Sequence, residues 1–96
     1  MRKILNYRTS PHFEERIKQR HIDPFLVSMC LIKGKMKYKK KKKIEFTLTK
    51  DRIKDVIEQG YINVFDYIGL ISLTVIVRSN ILITVFGRYG DTGLNY

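Results

Sequence analysis

The order of elements in this 96-residue sequence predicts an α+β fold: two N-terminal helices packed on a small antiparallel β-sheet, with a basic lysine arm. Three observations predict it. Two helix starts of the same type, Ser10-Pro11 and Asp23-Pro24, follow one another closely, each with a capping side chain and a proline at the first helical position. Two β-branched runs, residues 70–77 and 81–86, lie side by side with only Arg78-Ser79-Asn80 between them. Helices segregated from consecutive strands belong to α+β architectures rather than to alternating ones. Third, eight of the eleven residues from Lys33 to Lys43 are lysine, so no apolar periodicity survives there. Such a run is an exposed loop or an extended hairpin arm.

In chain order, residues 4–7 suit a short first strand. The first helix then runs from Pro11 to about Arg20, with Glu14 and Glu15 early in it, where carboxylates favour the helix dipole. His21-Ile22 is a break. The second helix carries Phe25, Leu26, Met29, Cys30 and Ile32 and stops at Gly34, which is expected in a left-handed C-terminal cap. It is apolar nearly all round and is therefore expected to be buried. Residues 44–48 alternate as a strand does. Thr49 can cap a third helix over 50–59, whose Ile53, Val56 and Ile57 have helical spacing, with Gly60 ending it. Residues 61–65 fit either helix or strand. Ser79-Asn80 is a tight turn between the two last strands, and residues 87–96 are expected to be a loose, glycine-rich tail.

Composition narrows the possible functions. The chain is long enough for one domain, residues 1–96, and its 44% hydrophobic content is that of a globular protein. Arg2 and Lys3 are followed by no long apolar stretch, which argues against an ordinary secretory signal. The apolar stretch 68–77 is about half of what crosses a bilayer. A cytoplasmic location without a membrane partner is the expectation. Cys30 is the single cysteine and lies in an apolar run, which suits a buried structural thiol better than a nucleophile. No phosphate-binding glycine loop, metal-ligand pattern or other cofactor signature is present.

Nineteen Lys and Arg against nine Asp and Glu give a net charge of +10. A field of that size attracts polyanions, and RNA is the expected partner. The arm over 35–43 is the expected holder of the backbone, through Lys37, Lys39, Lys40, Lys41, Lys42 and Lys43, with Arg88 and Tyr89 as further nucleic-acid contacts. Lysines act as point charges, so such contacts are blind to sequence. The bland alternative is a solvated loop that only keeps the protein soluble.

One constellation can carry chemistry. With Phe13 and Ile17 inward, His12 and Arg16 share a stripe along the first helix, and Arg20 continues it. An imidazole can move a proton at a ribose 2′-hydroxyl or at the leaving oxygen. Guanidiniums can clamp the phosphate. Arg78, at the end of a C-terminal strand, is expected to approach them from the sheet. Against this, one exposed helical His beside arginines is common, and His21 suits a cap better than a base.

The segment Ser10-Pro11-His12-Phe13-Glu14-Glu15-Arg16-Ile17-Lys18-Gln19-Arg20-His21-Ile22 resembles the N-terminal helix of small bacterial and phage proteins grouped with the RelE/ParE-like toxins. The phage endoribonuclease RegB has a similar stretch, and the C-terminal hairpin is similar to the closing strands of that group. The resemblance covers a quarter to a third of the chain. It implies two helices on an antiparallel sheet and metal-independent cleavage of RNA, often mRNA at the ribosome. His12, Arg16, Arg20 and Arg78 would then be catalytic, and the partner an antitoxin or a host protein. The lysine run and the third helix depart from the group's pattern. The competing expectation is a non-enzymatic nucleic-acid-binding protein, or a phage-encoded inhibitor of a host protein, on the same scaffold.

Overall fold

The computed structural model describes residues 3–59 and 69–89. Strands β1 (Lys3–Ile4) and β2 (Tyr7–Thr9) lead into helices α1 (Pro11–Arg20) and α2 (Pro24–Lys33). Strands β3 (Lys35–Tyr38) and β4 (Lys43–Leu48) follow, then α3 (Lys50–Glu58), and finally β5 (Leu70–Arg78) and β6 (Ile81–Tyr89). The strands form one sheet in the order β1-β2-β6-β5-β4-β3. The α+β class expected from the sequence is the class observed.

The single strand expected over 4–7 is instead a turn between two strands. Ile4 and Tyr7 are both apolar but three positions apart, and a strand with a repeat of two cannot put both on one face. The chain turns at Leu5, whose φ is 55°, and the two residues become cross-strand partners. The sheet is not wholly antiparallel either. β2 pairs parallel with β6, with Arg8 beside Ile81 and Thr9 beside Leu82, because the N-terminal strands dock on the edge of β6 that its hairpin leaves free.

Both proline-initiated helices form as expected. Ser10 and Asp23 accept hydrogen bonds from the amides of Phe13 and Phe25. Thr49 precedes α3 without a side-chain capping bond. α2 buries Leu26, Val27, Cys30 and Leu31 under the sheet, while Ile32, at its far side, is 57% exposed. Gly34 ends α2, but not in the left-handed form: its φ is −72°. A glycine suits the site because a Cβ there would stand 2.3 Å from the Cys30 carbonyl oxygen and 3.0 Å from that of Thr47. Close approach of α2 to β4, not backbone handedness, sets this position.

β6 continues to Tyr89, so residues 87–89 of the expected tail are strand; 90–96, like 60–68, lie outside the described residues. The core gathers residues from every helix, among them Phe13, Ile17, Leu26, Cys30, Ile53 and Val56, against Phe46, Leu48, Leu73, Val75, Val77, Leu82 and Val85 of the sheet. Thr47, Thr74 and their in-register neighbours lie on the opposite face, where the two threonine hydroxyls are 3.4 Å apart.

Candidate nucleic-acid interface

α1 is tied to β6 at its first turn. The Ser10 hydroxyl accepts from the Phe13 amide at 3.0 Å and donates to the Ile83 carbonyl at 3.0 Å. With Phe13 and Ile17 buried, the helix presents His12, Arg16 and Arg20 outward. Arg16 Nε donates to His12 Nε2 at 3.3 Å. That bond requires a lone pair on Nε2, which places the proton of the neutral ring on Nδ1. His21 is the C-cap, at φ 51°, with its amide turned to the carbonyls of Ile17 and Lys18.

Arg78 does not join this stripe. Its predecessor Val77 faces the core, so Arg78 points to the outer face, where its cross-strand neighbours are Lys43 and Ile81. The period of two also separates Arg88 from Tyr89. Arg88 stands opposite Ser72 on the outer face, whereas Tyr89 lies opposite Leu70 on the other and is 55% exposed. Gly87 makes room for that arrangement, since a Cβ there would sit 2.9 Å from Leu70 Cδ1 and 3.1 Å from Tyr89 Cε1.

The lysine run is an ordered hairpin. β3 pairs with β4 from Lys35–Thr47 to Tyr38–Ile44, which places Lys35 and Lys37 on the outer face and Met36 and Tyr38 on the other. Lys39 to Lys42 close the turn. The Lys39 amide donates to the Lys43 carbonyl at 2.8 Å, and the Lys43 amide to that of Lys40 at 3.4 Å. Lys41 and Lys42 both have φ of 61°. Mirror-image turns of this kind match the twist of paired strands, though they normally hold Asn and Gly. Lys39 Nζ lies 3.5 Å from Glu45 Oε2; this half-exposed pair contributes at most about 1 kcal/mol. As an edge strand, β3 is protected by its lysines against pairing with other chains, which is the structural reason such charges occur there.

Cys30 is fully buried and its thiol donates to the carbonyls of Phe46 and Leu73 at 3.3 and 3.4 Å. Burial pushes the thiol up to about 12, against smaller lowering contributions from the Leu48 and Val75 backbone. It is a packing group, not a nucleophile. Among the described residues no three His, Cys, Asp or Glu side chains gather as metal ligands, and no helix is long and apolar enough to cross a membrane.

No known protein family, curated protein or solved structure matches the chain. Three residues that carry charge or an aromatic surface on the outer face escaped the reading of the sequence. Lys3 and Arg8 come beside Ile81 only through the parallel pairing of β2 with β6, which no local signal encodes. Phe86, opposite Thr74 and 44% exposed, belongs to an apolar run, and strict alternation from the turn would put it inside; the register shift between Leu82 and Thr84 turns it to the outer face.

Proposed function

We propose that this protein binds RNA through its lysine hairpin and the adjoining outer face of the sheet. The observation that carries this reading is the hairpin itself. Five consecutive lysines, Lys39 to Lys43, are carried on a closed, hydrogen-bonded turn, with Glu45 the carboxylate beside them among the described residues, so their attachment points are fixed rather than spread over a free loop. A preorganised turn loses less backbone freedom on meeting a polyanion than a disordered loop does. Contacts of this kind are read by charge and not by base.

A second reading is favoured by one juxtaposition, that of the Arg16 guanidinium with the His12 imidazole. In a metal-independent endoribonuclease of the RelE/ParE-like type, His12 takes the proton of a ribose 2′-hydroxyl, whose oxygen attacks the adjacent phosphorus. The 5′-oxygen of the next nucleotide leaves and takes a proton from solvent, while the His12 imidazolium returns its own to solvent, giving a 2′,3′-cyclic phosphate. The 3.3 Å bond from Arg16 puts a guanidinium beside the ring; because it occupies Nε2, the one basic lone pair of the neutral imidazole, His12 takes a proton only once that bond opens to the substrate. Arg20, one turn on, supplies a second cation. Arg78 is not needed in this version, and any contribution from it would come from the opposite face. The two-helix layout of that toxin group, an antitoxin or host-protein partner and a cytoplasmic site of action belong to this reading.

One assay separates the two. Total RNA is incubated in excess chelator, with and without ribosomes, with the wild type and with His12→Ala. Discrete fragments from the wild type alone support the nuclease. Intact RNA in every lane, together with a shifted probe in a native gel, leaves a binding protein. Neither cleavage nor a shift overturns both.

A further inference from the structure

Following the hydrogen-bonded register from strand to strand traces a line of charge across the sheet. Lys3 stands opposite Arg8, Arg8 beside Ile81, Ile81 opposite Arg78, and Arg78 opposite Lys43. Cross-strand partners share a face. The five side chains therefore form one row over five adjacent strands. It lies on the outer face, because the residues next to them in sequence, Ile4, Thr9, Val77 and Leu82, are buried. At the usual spacing of strands the row is about 19 Å long.

Four of its five members are cations, and Lys3, Arg8 and Arg78 are exposed. Among the described residues no carboxylate pairs with any of the four. The lysine turn lies just beyond Lys43 at one end. At the other is a pocket of about 350 Å³ lined by Lys3, Asn6, Arg8, Ser79, Asn80 and Ile81. Its lining holds two cations, three neutral polar side chains and no acid. Like charges directly opposite one another destabilise a sheet. The row contains two such pairs, Lys3 with Arg8 and Arg78 with Lys43, so it works against folding.

We infer that this row is the track for the backbone of a single-stranded RNA, which crosses the strands from the lysine turn to the pocket, where a phosphate seats between Lys3 and Arg8. The inference rests on the RNA-binding reading and adds the strand form of the ligand and its path. A single file of cations follows one backbone; a duplex presents two. Arg8 and Arg78 can grip phosphate with two parallel hydrogen bonds each, which lysine cannot.

The test is fluorescence anisotropy with a labelled single-stranded 12-nucleotide RNA over a range of KCl. The row variant is Arg8→Gln with Arg78→Gln. A control of equal charge loss, Arg52→Gln with Lys54→Gln, lies on α3. The row variant is expected to bind at least tenfold more weakly than wild type and to lower the slope of log affinity against log salt by about 1.4, since a single-strand phosphate contact accounts for about 0.7. The control should change affinity less than twofold. Relief of like-charge repulsion should leave the row variant melting at or above the wild-type temperature, which separates lost contacts from lost folding. Equal weakening of both variants overturns the track while leaving RNA binding intact. Better competition by a 12-base-pair RNA duplex than by the single strand overturns the choice of ligand form. A wild type that binds no RNA overturns the underlying reading as well.

Discussion

Lys41 and Lys42 occupy a conformation that costs an L-residue other than Gly, Asn or Asp about 1–2 kcal/mol each. The turn tolerates that cost where Asn-Gly would avoid it. An outlier retained at a charged, exposed tip suggests that charge there is worth more than local stability. Lys41→Asn with Lys42→Gly is therefore expected to raise the melting temperature by a few degrees while weakening RNA binding several-fold. Thermal melts beside a binding titration check both signs, and a variant that gains stability with unchanged affinity would mean that the tip does not touch the ligand. Single residues also set limits on what neighbours can do. Gly34 and Gly87 keep their positions through what a Cβ would strike, and Arg88 and Tyr89, adjacent in sequence, serve opposite faces.

At the scale of elements, α1 and α3, each preceded by a hydroxyl side chain, are held differently. Ser10 satisfies the Phe13 amide and also reaches the Ile83 carbonyl, so it caps α1 and pins it to β6. Thr49 makes no side-chain capping bond to α3. Ser10→Ala is expected to cost about 1–2 kcal/mol in urea unfolding. Thr49→Ala should cost less than about 0.5 kcal/mol. Equal losses would remove the distinction. Because Ser10 sets where α1 starts on β6, its loss would also disturb the placement of His12 and Arg16. The helix starts at Ser10-Pro11 and Asp23-Pro24 were legible because capping and proline chemistry are local. The break at Leu5 was legible in principle from the three-residue spacing of Ile4 and Tyr7, yet a short apolar run by itself does not say that it must turn.

Across the whole molecule, a net charge of +10 on a domain this small sets two salt effects of opposite sign. Self-repulsion in the folded state weakens as salt screens it, so the melting temperature should rise between about 10 and 300 mM KCl. RNA affinity should fall over the same range, because released counterions drive binding. Calorimetry and anisotropy in matched buffers measure the two trends. A melting temperature that falls with salt would mean that attractive ion pairs outweigh the repulsion, contrary to the outer row, whose four cations meet no carboxylate among the described residues.

By itself the sequence determined the α+β class, the three helices, the closing hairpin at Ser79-Asn80, the burial of Cys30 and the exposure of the lysine run. Each follows from interactions within a few residues, such as capping, a periodicity of 3.6 or 2, or crowded like charge. Only the tertiary structure decided which strands meet. The parallel docking of β2 on β6 brings Lys3 and Arg8 into line with Arg78 and Lys43, and it separates Arg78 from the His12 stripe. Strand pairing is set by the burial of distant apolar faces against one another, and a change of register by one residue turns every side chain to the other side.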